Sequence, residues 1–405
     1  MTIKASAGSA ASINLYFGSN SWIEGAALAQ INQVAQMPGI LAVAAMPDLC
    51  PGKYGPVGCA ILSEMVHPLL VGSDIGCGMG LFQLDVSPRK LSPDKAAEKL
   101  SVLEPCRHAA DDPDWMAEAR TTLEQRGFRS TPFDAALGTI GGGNHFCELQ
   151  AVEEIVNAEA AAQAGLDPSR VYALVHSGSR GLGHAILTEL LAGDDDALVA
   201  DSEAAQRYMT VHDEAVSWAE ANRTLIAERA ARALRSDLTC VIDQPHNFLE
   251  HQQGHFLHRK GAAPSDRGLV PVPGSRGTLS YLVRPLPTQP GALKSLAHGA
   301  GRKHDRQSMH GRAGVTRSER AGLERNPFGG RVVCSERDLL IEEAPQAYKA
   351  ISQVIGDLAD HGLAEVIATF RPLVTFKTAR PAHDAKRADH RERRKARRHR
   401  ERERR

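Results

Sequence analysis

Five short turns in this chain bring together the residue types that bind metals and attack phosphorus. The first is Ser73-Asp74-Ile75-Gly76-Cys77-Gly78-Met79-Gly80. A carboxylate and a thiol three residues apart, set among glycines, suit a metal ion whose ligands project from a tight turn. Glycine tolerates positive φ there and lets the backbone come close to an ion. Taken alone, a glycine turn with an inert buried cysteine is the commoner reading. The second is Gly141-Gly142-Gly143-Asn144-His145-Phe146-Cys147-Glu148. Its backbone N–H groups can cradle phosphate, Asn144 and Glu148 can add hydrogen bonds, and His145 can bind metal. No second spaced glycine set follows, so the dinucleotide fingerprint is not matched. The third, His176-Ser177-Gly178-Ser179-Arg180-Gly181, closes an apolar strand and offers an imidazole with an anion-binding arginine. The fourth is Pro245-His246-Asn247.

Each histidine alone is more often a satisfied core or surface group than a ligand. Asp74, Cys77, His145, His176 and His246 together give one carboxylate, one thiolate and three imidazoles. That is too many for one tetrahedral ion and suits two ions sharing the thiolate, an arrangement that clamps phosphoryl oxygens. Zinc and iron are also compatible with this donor set. The fifth turn is Leu296-Ala297-His298-Gly299-Ala300-Gly301-Arg302. No hydroxyl or thiol nucleophile sits in a recognisable elbow, so His298, beside small residues and an arginine, is the group that could attack phosphorus.

The elements that must hold these turns alternate irregularly. Helices are expected over Ala26–Gln36, Pro93–Leu103, Asp114–Arg126, Ser202–Arg235 and Ala347–Asp360, and strands over Ile40–Ala45, Thr139–Leu149, Val171–His176 and Ala364–Phe376. Cys240–Phe248, Gly254–Lys260 and Leu269–Val283 read as strand-like segments broken by Gly and Pro. In the longest helix, Tyr208, Val211, Ala215, Trp218, Asn222 and Leu225 form the face to bury. The pattern predicts one α/β body rather than a βαβ repeat.

The zero net charge hides an uneven distribution. From Thr378 onward there are 13 Lys/Arg and 5 Asp/Glu, leaving 48 − 13 = 35 basic and 48 − 5 = 43 acidic residues before it. A basic, disordered tail over 378–405 on an acidic body is therefore expected. Seven irregularly spaced cysteines point to reduced thiols and a cytoplasmic setting. Met1–Gly18 has no basic region followed by an apolar core, so no signal peptide is expected, and no apolar run nears the ~20 residues of a membrane span.

The ordered turns resemble the RtcB family of RNA ligases. SDIGCGMG, GGGNHF, HSGSRG and PHN are joined by His258–Ala262 (HRKGA), Pro273–Tyr281 (PGSRGTLSY), His298–Arg302 (HGAGR) and Glu342–Lys349 (EEAPQAYK), spread over most of residues 40–377. The resemblance implies a mixed α/β fold, with one large RtcB-like domain over 1–377, its sheets surrounded by helices and not Rossmann-like. It implies two Mn²⁺ ions on Asp74, Cys77, His145, His176 and His246, with Cys77 bridging, and GTP as cosubstrate. His298 would accept GMP. Asn144, His145, Phe146, Cys147, Glu148, His246, Asn247, Pro273, Gly274, Ser275, Arg276, Ser280, Gly299, Ala300, Gly301 and Lys377 would contact the guanine nucleotide. The implied reaction joins an RNA 3′-phosphate or 2′,3′-cyclic phosphate to a 5′-hydroxyl, in RNA repair or tRNA splicing, with no membrane involved.

Some positions depart from the family. Cys50 stands where histidine is usual, and Arg302-Lys303-His304-Asp305-Arg306 lacks the common serine before the last arginine. With Ser295-Leu296-Ala297 these features look like a bacterial paralogue group, some of whose members are paired with a release-factor-like protein, which makes such a helper an expected partner. The basic tail extends past the usual family end. A two-metal phosphoesterase and an RNA-binding protein without catalysis are the competing classes. Covalent labelling by GTP separates the ligase from the phosphoesterase.

Overall fold

Four of the five turns hang from one end of neighbouring strands. The strand Gly78–Leu84 emerges from the first turn and pairs on one side with Val171–Ser177 and on the other with Leu238–Pro245, all antiparallel. Val171–Ser177 pairs in turn with Phe146–Ile155, so that Met79, His176 and Phe146 stand side by side across three strands. The last long strand, Ala364–Thr378, lies between Phe146–Ile155 and Ser280–Pro285 in this eight-stranded sheet. Only Arg331–Cys334 runs parallel to its neighbour among these pairs. A mostly antiparallel sheet of this kind is not a Rossmann fold, whose strands are parallel. The structure, a computed structural model, describes residues 2–3, 11–105, 109–192, 197–287 and 289–379. The expected disordered tail therefore lies outside the described residues from 380 onward.

A second, six-stranded sheet contains Ile40–Cys50, Val57–Ser63, His255–Lys260 and Asn247–Gln252. The two sheets meet at one residue. Pro245 ends a strand of the first and Asn247 begins a strand of the second, so His246 occupies the joint. The strand-like segment expected over Cys240–Phe248 is thus parts of two strands in two sheets.

The long helix Glu203–Leu234 begins at Ser202, whose hydroxyl accepts the Ala205 N–H at 3.1 Å. Its Ile226, Ala227, Ala230 and Ala231 pack on Phe82, Leu84, Val171, Ala173 and Val175 of the eight-stranded sheet, closing one core. Tyr208, Ala215, Trp218, Asn222 and Leu225 are buried as expected, but Val211 is exposed and His212 is buried in its place. His212 can be buried because its Nε2 accepts the Leu249 N–H at 3.0 Å.

Other expected elements shift. Thr139–His145 is loop and the strand begins at Phe146, because Gly138, Gly141 and Gly143 take φ of +77°, +97° and +67°. The strand from Ile40 continues to Cys50, Leu269–Val283 splits into Val270–Val272 and Ser280–Pro285, and the helix expected from Ala347 starts at Ile351. Among the described residues, no helix is long and apolar enough to cross a membrane.

Candidate active site

The structure brings the five expected ligands together in two overlapping sets. Asp74, Cys77 and His145 form one and Cys77, His176 and His246 the other, the ligand atoms of each set lying within 4.8 Å of one another. Cys77 Sγ is 3.3 Å from His145 Nε2 and 3.1 Å from His176 Nε2. His145 Nε2 is 2.9 Å from Asp74 Oδ2, and the Nε2 atoms of His176 and His246 are 3.3 Å apart. The sets share only the thiol.

Backbone pairing explains the convergence of residues far apart in sequence. The N–H groups of His246 and Asn247 donate to the Cys77 carbonyl at 2.7 and 3.2 Å, and the Gly76 N–H donates to Asn247 O at 2.8 Å. Behind them stand two consecutive residues of the long helix. Arg223 donates Nη1 to the carbonyls of Gly76 (2.7 Å) and Ser177 (3.1 Å) and Nε to Asp243 Oδ1 (2.5 Å). Asn222 Nδ2 donates to Gly178 O at 3.1 Å and its Oδ1 accepts the Gly138 N–H at 2.6 Å. One helix face thus sets the register of three ligand-bearing loops.

The donor chemistry fits divalent cations. Nδ1 of His145 is 3.1 Å from Ile140 O, so with the proton on Nδ1 its Nε2 lone pair is directed to the cluster. Desolvation first, then neighbouring imidazoles, hold His176 and His246 well below the usual histidine range, which keeps them neutral, as ligands must be. Burial raises the Asp74 carboxyl, but when His145 Nε2 also carries a proton its charge and hydrogen bond outweigh burial and hold it at about 2; a bound cation would take that proton's place. Desolvation, then Asp74, push the Cys77 thiol well up, so a metal would bind there by displacing its proton.

His298 adjoins this cluster, its ring centroid 4.5 Å from that of His246. Asp48 Oδ2 lies 2.6 Å from His298 Nδ1 and accepts the His298 backbone N–H at 3.1 Å. The ring is therefore held by Nδ1, with Nε2 left as the reactive nitrogen. Asp48 is itself held in place, because Lys349 Nζ donates to the flanking carbonyls of Pro47 and Leu49 at 2.9 and 2.6 Å. Gly301 permits the approach: at φ +70°, a Cβ there would stand 2.1 Å from the Asp48 carbonyl oxygen.

A cavity of about 430 Å³ opens in front of His298. Of the residues expected to contact nucleotide, Asn144, Phe146, Glu148, Pro273, Gly274, Ser275, Arg276, His298, Gly299, Ala300, Gly301 and Lys377 line it. Cys147 does not, because strand alternation turns its side chain into the core with Leu149 and Ala151. Ser280 stands behind the wall, accepting from Gln150, which also donates to Glu148. Asn247 accepts the Gly261 N–H instead of facing the cavity, and His145 and His246 belong to the ligand sets. Burial raises Glu148 to about 7 despite hydrogen bonds from Thr375 and Gln150, and burial lowers Lys377 to about 8. Lys377 Nζ donates to His145 O at 2.9 Å, linking the cavity floor to a ligand loop.

Several residues at the site have no site role in the sequence reading: Asp48, Arg223, Glu343 and Tyr348, with Asn222 read only as part of the buried helix face. Glu343 and Tyr348 lie in EEAPQAYK and line the cavity, where Glu343 pairs with Arg302 at 2.9 Å and Arg306 at 3.3 Å. Cys50 is buried at the cavity wall, its thiol pushed up first by desolvation.

Comparison with known proteins gives a consistent match. The family model described as tRNA-splicing ligase RtcB matches residues 30–127 and 110–378. The chain is 42% identical to the RNA-splicing ligase RtcB2 of Escherichia coli, over 88% of this chain and 93% of that protein. It is 31% identical to the tRNA-splicing ligase RtcB of Nanoarchaeum equitans, over 86% and 91% respectively. With the RNA-splicing ligase RtcB of Mycobacterium tuberculosis the identity is 29%, over 86% and 100%.

Proposed function

This chain belongs to the RtcB family of tRNA-splicing ligases, and we propose that it is an RNA ligase that uses GTP and two divalent ions, manganese on the family resemblance, to join a 3′-phosphate or 2′,3′-cyclic phosphate end to a 5′-hydroxyl through a histidine–GMP intermediate. The observation that carries this reading is His298 held through Nδ1 by Asp48, beside two ligand sets sharing Cys77.

The steps follow from these groups. His298 Nε2 attacks the α-phosphorus of GTP, forming a P–N bond as the bond to the β-phosphate oxygen breaks and pyrophosphate leaves. Asp48 orients the ring and offsets the charge it gains. The RNA 3′-phosphate then takes GMP from His298, converting a poor leaving oxygen into a good one. The 5′-hydroxyl attacks that phosphorus and GMP departs. Bound by Asp74, Cys77, His145, His176 and His246, divalent ions would offset phosphoryl charge and align the reacting oxygens. Glu148, Asn144, Ser275 and Lys377 would hold the nucleotide, with Glu148 accepting from the guanine edge.

We also assign residues 1–377 to one catalytic unit and 378–405 to a basic accessory segment. Cys50 and Arg302–Arg306 support the paralogue-group reading, and with it a release-factor-like helper protein. The deciding experiment incubates purified protein with α-labelled GTP and Mn²⁺. Label bound covalently to His298 is the expected result. Opening of a 2′,3′-cyclic end to a terminal monophosphate, or removal of that monophosphate, without protein labelling would replace the ligase with a phosphoesterase.

A further inference from the structure

Beside the reaction cavity the rim segment 302–325 carries groups that the ligation chemistry does not use. Arg302 and Arg306 turn onto Glu343, and Arg325 pairs with Asp94. Lys303, Arg312 and Arg317 are exposed and enter none of the ion pairs among the described residues. An aromatic ring packs against this segment at His304. Trp22, 39% exposed, meets His304 edge-on with ring centroids 6.3 Å apart. Its loop is anchored by Ser21 Oγ and the Gly18 N–H, which donate to Asp357 at 2.5 and 3.2 Å. Desolvation first, then the charges of Arg312 and Lys303, hold His304 below the usual histidine range.

Under this rim is a separate cavity of about 390 Å³, walled by Arg276, Arg312 and Arg325. Arg276 is 7% exposed and lines both this cavity and the reaction cavity. It donates Nη2 to Leu340 O at 2.7 Å, but its buried Nη1 has no hydrogen-bond partner among the described residues. A buried guanidinium N–H without an acceptor costs free energy until an anion or water arrives. Glu319 is a carboxylate at the same cavity, and its Oε2 is engaged by the Thr316 N–H at 3.0 Å.

A plain solvated face would account for exposed cations. It would not account for an exposed tryptophan against His304 or for a buried, unpartnered guanidinium nitrogen in the cavity wall beneath. Cations along a backbone path with an aromatic platform are the usual equipment for single-stranded nucleic acid. An acidic protein surface would have no need of the ring.

We propose that Trp22, Lys303, Arg312 and Arg317 form a single-stranded RNA-binding site outside the reaction centre, in which a base stacks on Trp22 and the cavity between Arg276 and Arg312 takes a backbone phosphate. This rests on the RNA-ligase reading for the identity of the polymer. It extends the substrate contact beyond the ends being joined.

The test uses the full chain and a fluorescent single-stranded RNA carrying a 3′-phosphate, with anisotropy titrations across a range of salt. Trp22→Ala should weaken binding roughly tenfold and leave the salt slope unchanged, because stacking is not ionic. Lys303→Glu/Arg312→Glu/Arg317→Glu should weaken binding and flatten the slope of log K against log salt by about 2. The milder Lys303→Gln/Arg312→Gln/Arg317→Gln should move both in the same direction, which guards against a folding defect in the reversed protein. GTP labelling should be unchanged in all three. Affinity and slope within twofold of the unaltered protein in all variants would overturn the site. So would charge variants that lose pyrophosphate binding but keep RNA affinity, because the cations would then serve a free anion. Failure of GTP labelling in the unaltered protein would sink the ligase reading and leave these binding measurements to decide the site.

Discussion

Asp48 Oδ2 meets His298 twice, at Nδ1 (2.6 Å) and at the backbone N–H (3.1 Å). Two contacts to one oxygen fix the ring's rotation as well as its protonation, with the proton on Nδ1 and the lone pair on Nε2. The carboxylate is fully buried and its Oδ1 has no hydrogen-bond partner among the described residues.

Asp48→Asn keeps the shape and removes the charge. Its rate of GTP labelling should fall by roughly 10²-fold or more, the usual scale of such orienting and proton-transfer groups. His298→Ala should abolish labelling. Bound metal should be nearly unchanged in both, and the adduct should be acid-labile and alkali-stable, as a phosphoramidate is. Labelling of Asp48→Asn at the unaltered rate would remove Asp48 from the mechanism.

Cys77 belongs to both ligand sets, so it should be the least replaceable ligand. Cys77→Ser should lose metal and labelling together, because a neutral hydroxyl cannot stand in for a shared thiolate. Metal analysis after desalting checks this, with Cys147→Ser as the control, since Cys147 faces the core. Two ions per chain at unaltered affinity in Cys77→Ser would dissolve the shared site.

Arg223 is buried between Asp243 and two loop carbonyls. Arg223→Met leaves a buried carboxylate and two carbonyls without their donor and should cost about 3–5 kcal/mol in denaturant unfolding. Asp243→Asn should cost less. Desolvation raises the Asp243 carboxyl to about 6 even beside Arg223, so its charged form is already held at a disadvantage. Equal losses in the two variants would show that the ion pair, not the loop carbonyls, is what Arg223 serves.

Glu148, raised to about 7 by burial, sets a pH dependence. Its folded value lies above the unfolded one, so the folded protein holds the proton more tightly. Stability from this group is greatest below about pH 4 and declines as pH rises toward about 7, then stays level. Nucleotide affinity should move in the opposite direction, because a carboxylate accepting from guanine must be ionised. GTP affinity should rise between pH 6 and 8, and Glu148→Gln should remove that rise. A Glu148→Gln profile that keeps it would assign the titration elsewhere.

The basic segment should act apart from the folded body. Ala379 still contributes its N–H to Glu104 at 3.3 Å, so a cut after Ala379 preserves the last described contact. Labelling should be spared, while RNA affinity drops and its salt slope flattens. A cut at Phe376 removes Lys377 and should damage nucleotide binding as well. Equal RNA affinity and slope for the full chain and the Ala379 truncation would make the segment a bystander.

The site was legible in the sequence where chemistry is local. Asp74 and Cys77 share one turn, and glycines lie within three residues of His145, His176 and His298, so residue type and punctuation were enough to mark them. Asp48 was not marked, because its contact with His298 spans 250 residues and nothing near Met46–Gly52 announces it. The helix face that holds the loops was half legible. Periodicity selected Asn222 but read it as part of a packing stripe, whereas its amide makes four hydrogen bonds, to Gly138, Thr139, Ser177 and Gly178. Val211 was preferred over His212 because a buried imidazole pays off only with a partner, and that partner, Leu249 N–H, is set by tertiary structure. The division at His246 has the same origin, since a break near Pro245 gives no sign that the two sides join different sheets.

Consider the order in which a ribosome releases this chain. All five candidate ligands and His298 emerge before the strand Ala364–Thr378, yet that strand lies inside the eight-stranded sheet, between Phe146–Ile155 and Ser280–Pro285. Until it is inserted, Phe146–Ile155 is an unpaired edge, and Thr375 and Lys377 are missing from the cavity wall. A nascent or prematurely ended chain can therefore carry every ligand and the nucleophile and still have no closed nucleotide cavity. Competence comes only once this strand has been made, so copies that stop before it should bind GTP poorly and compete little with those that include it.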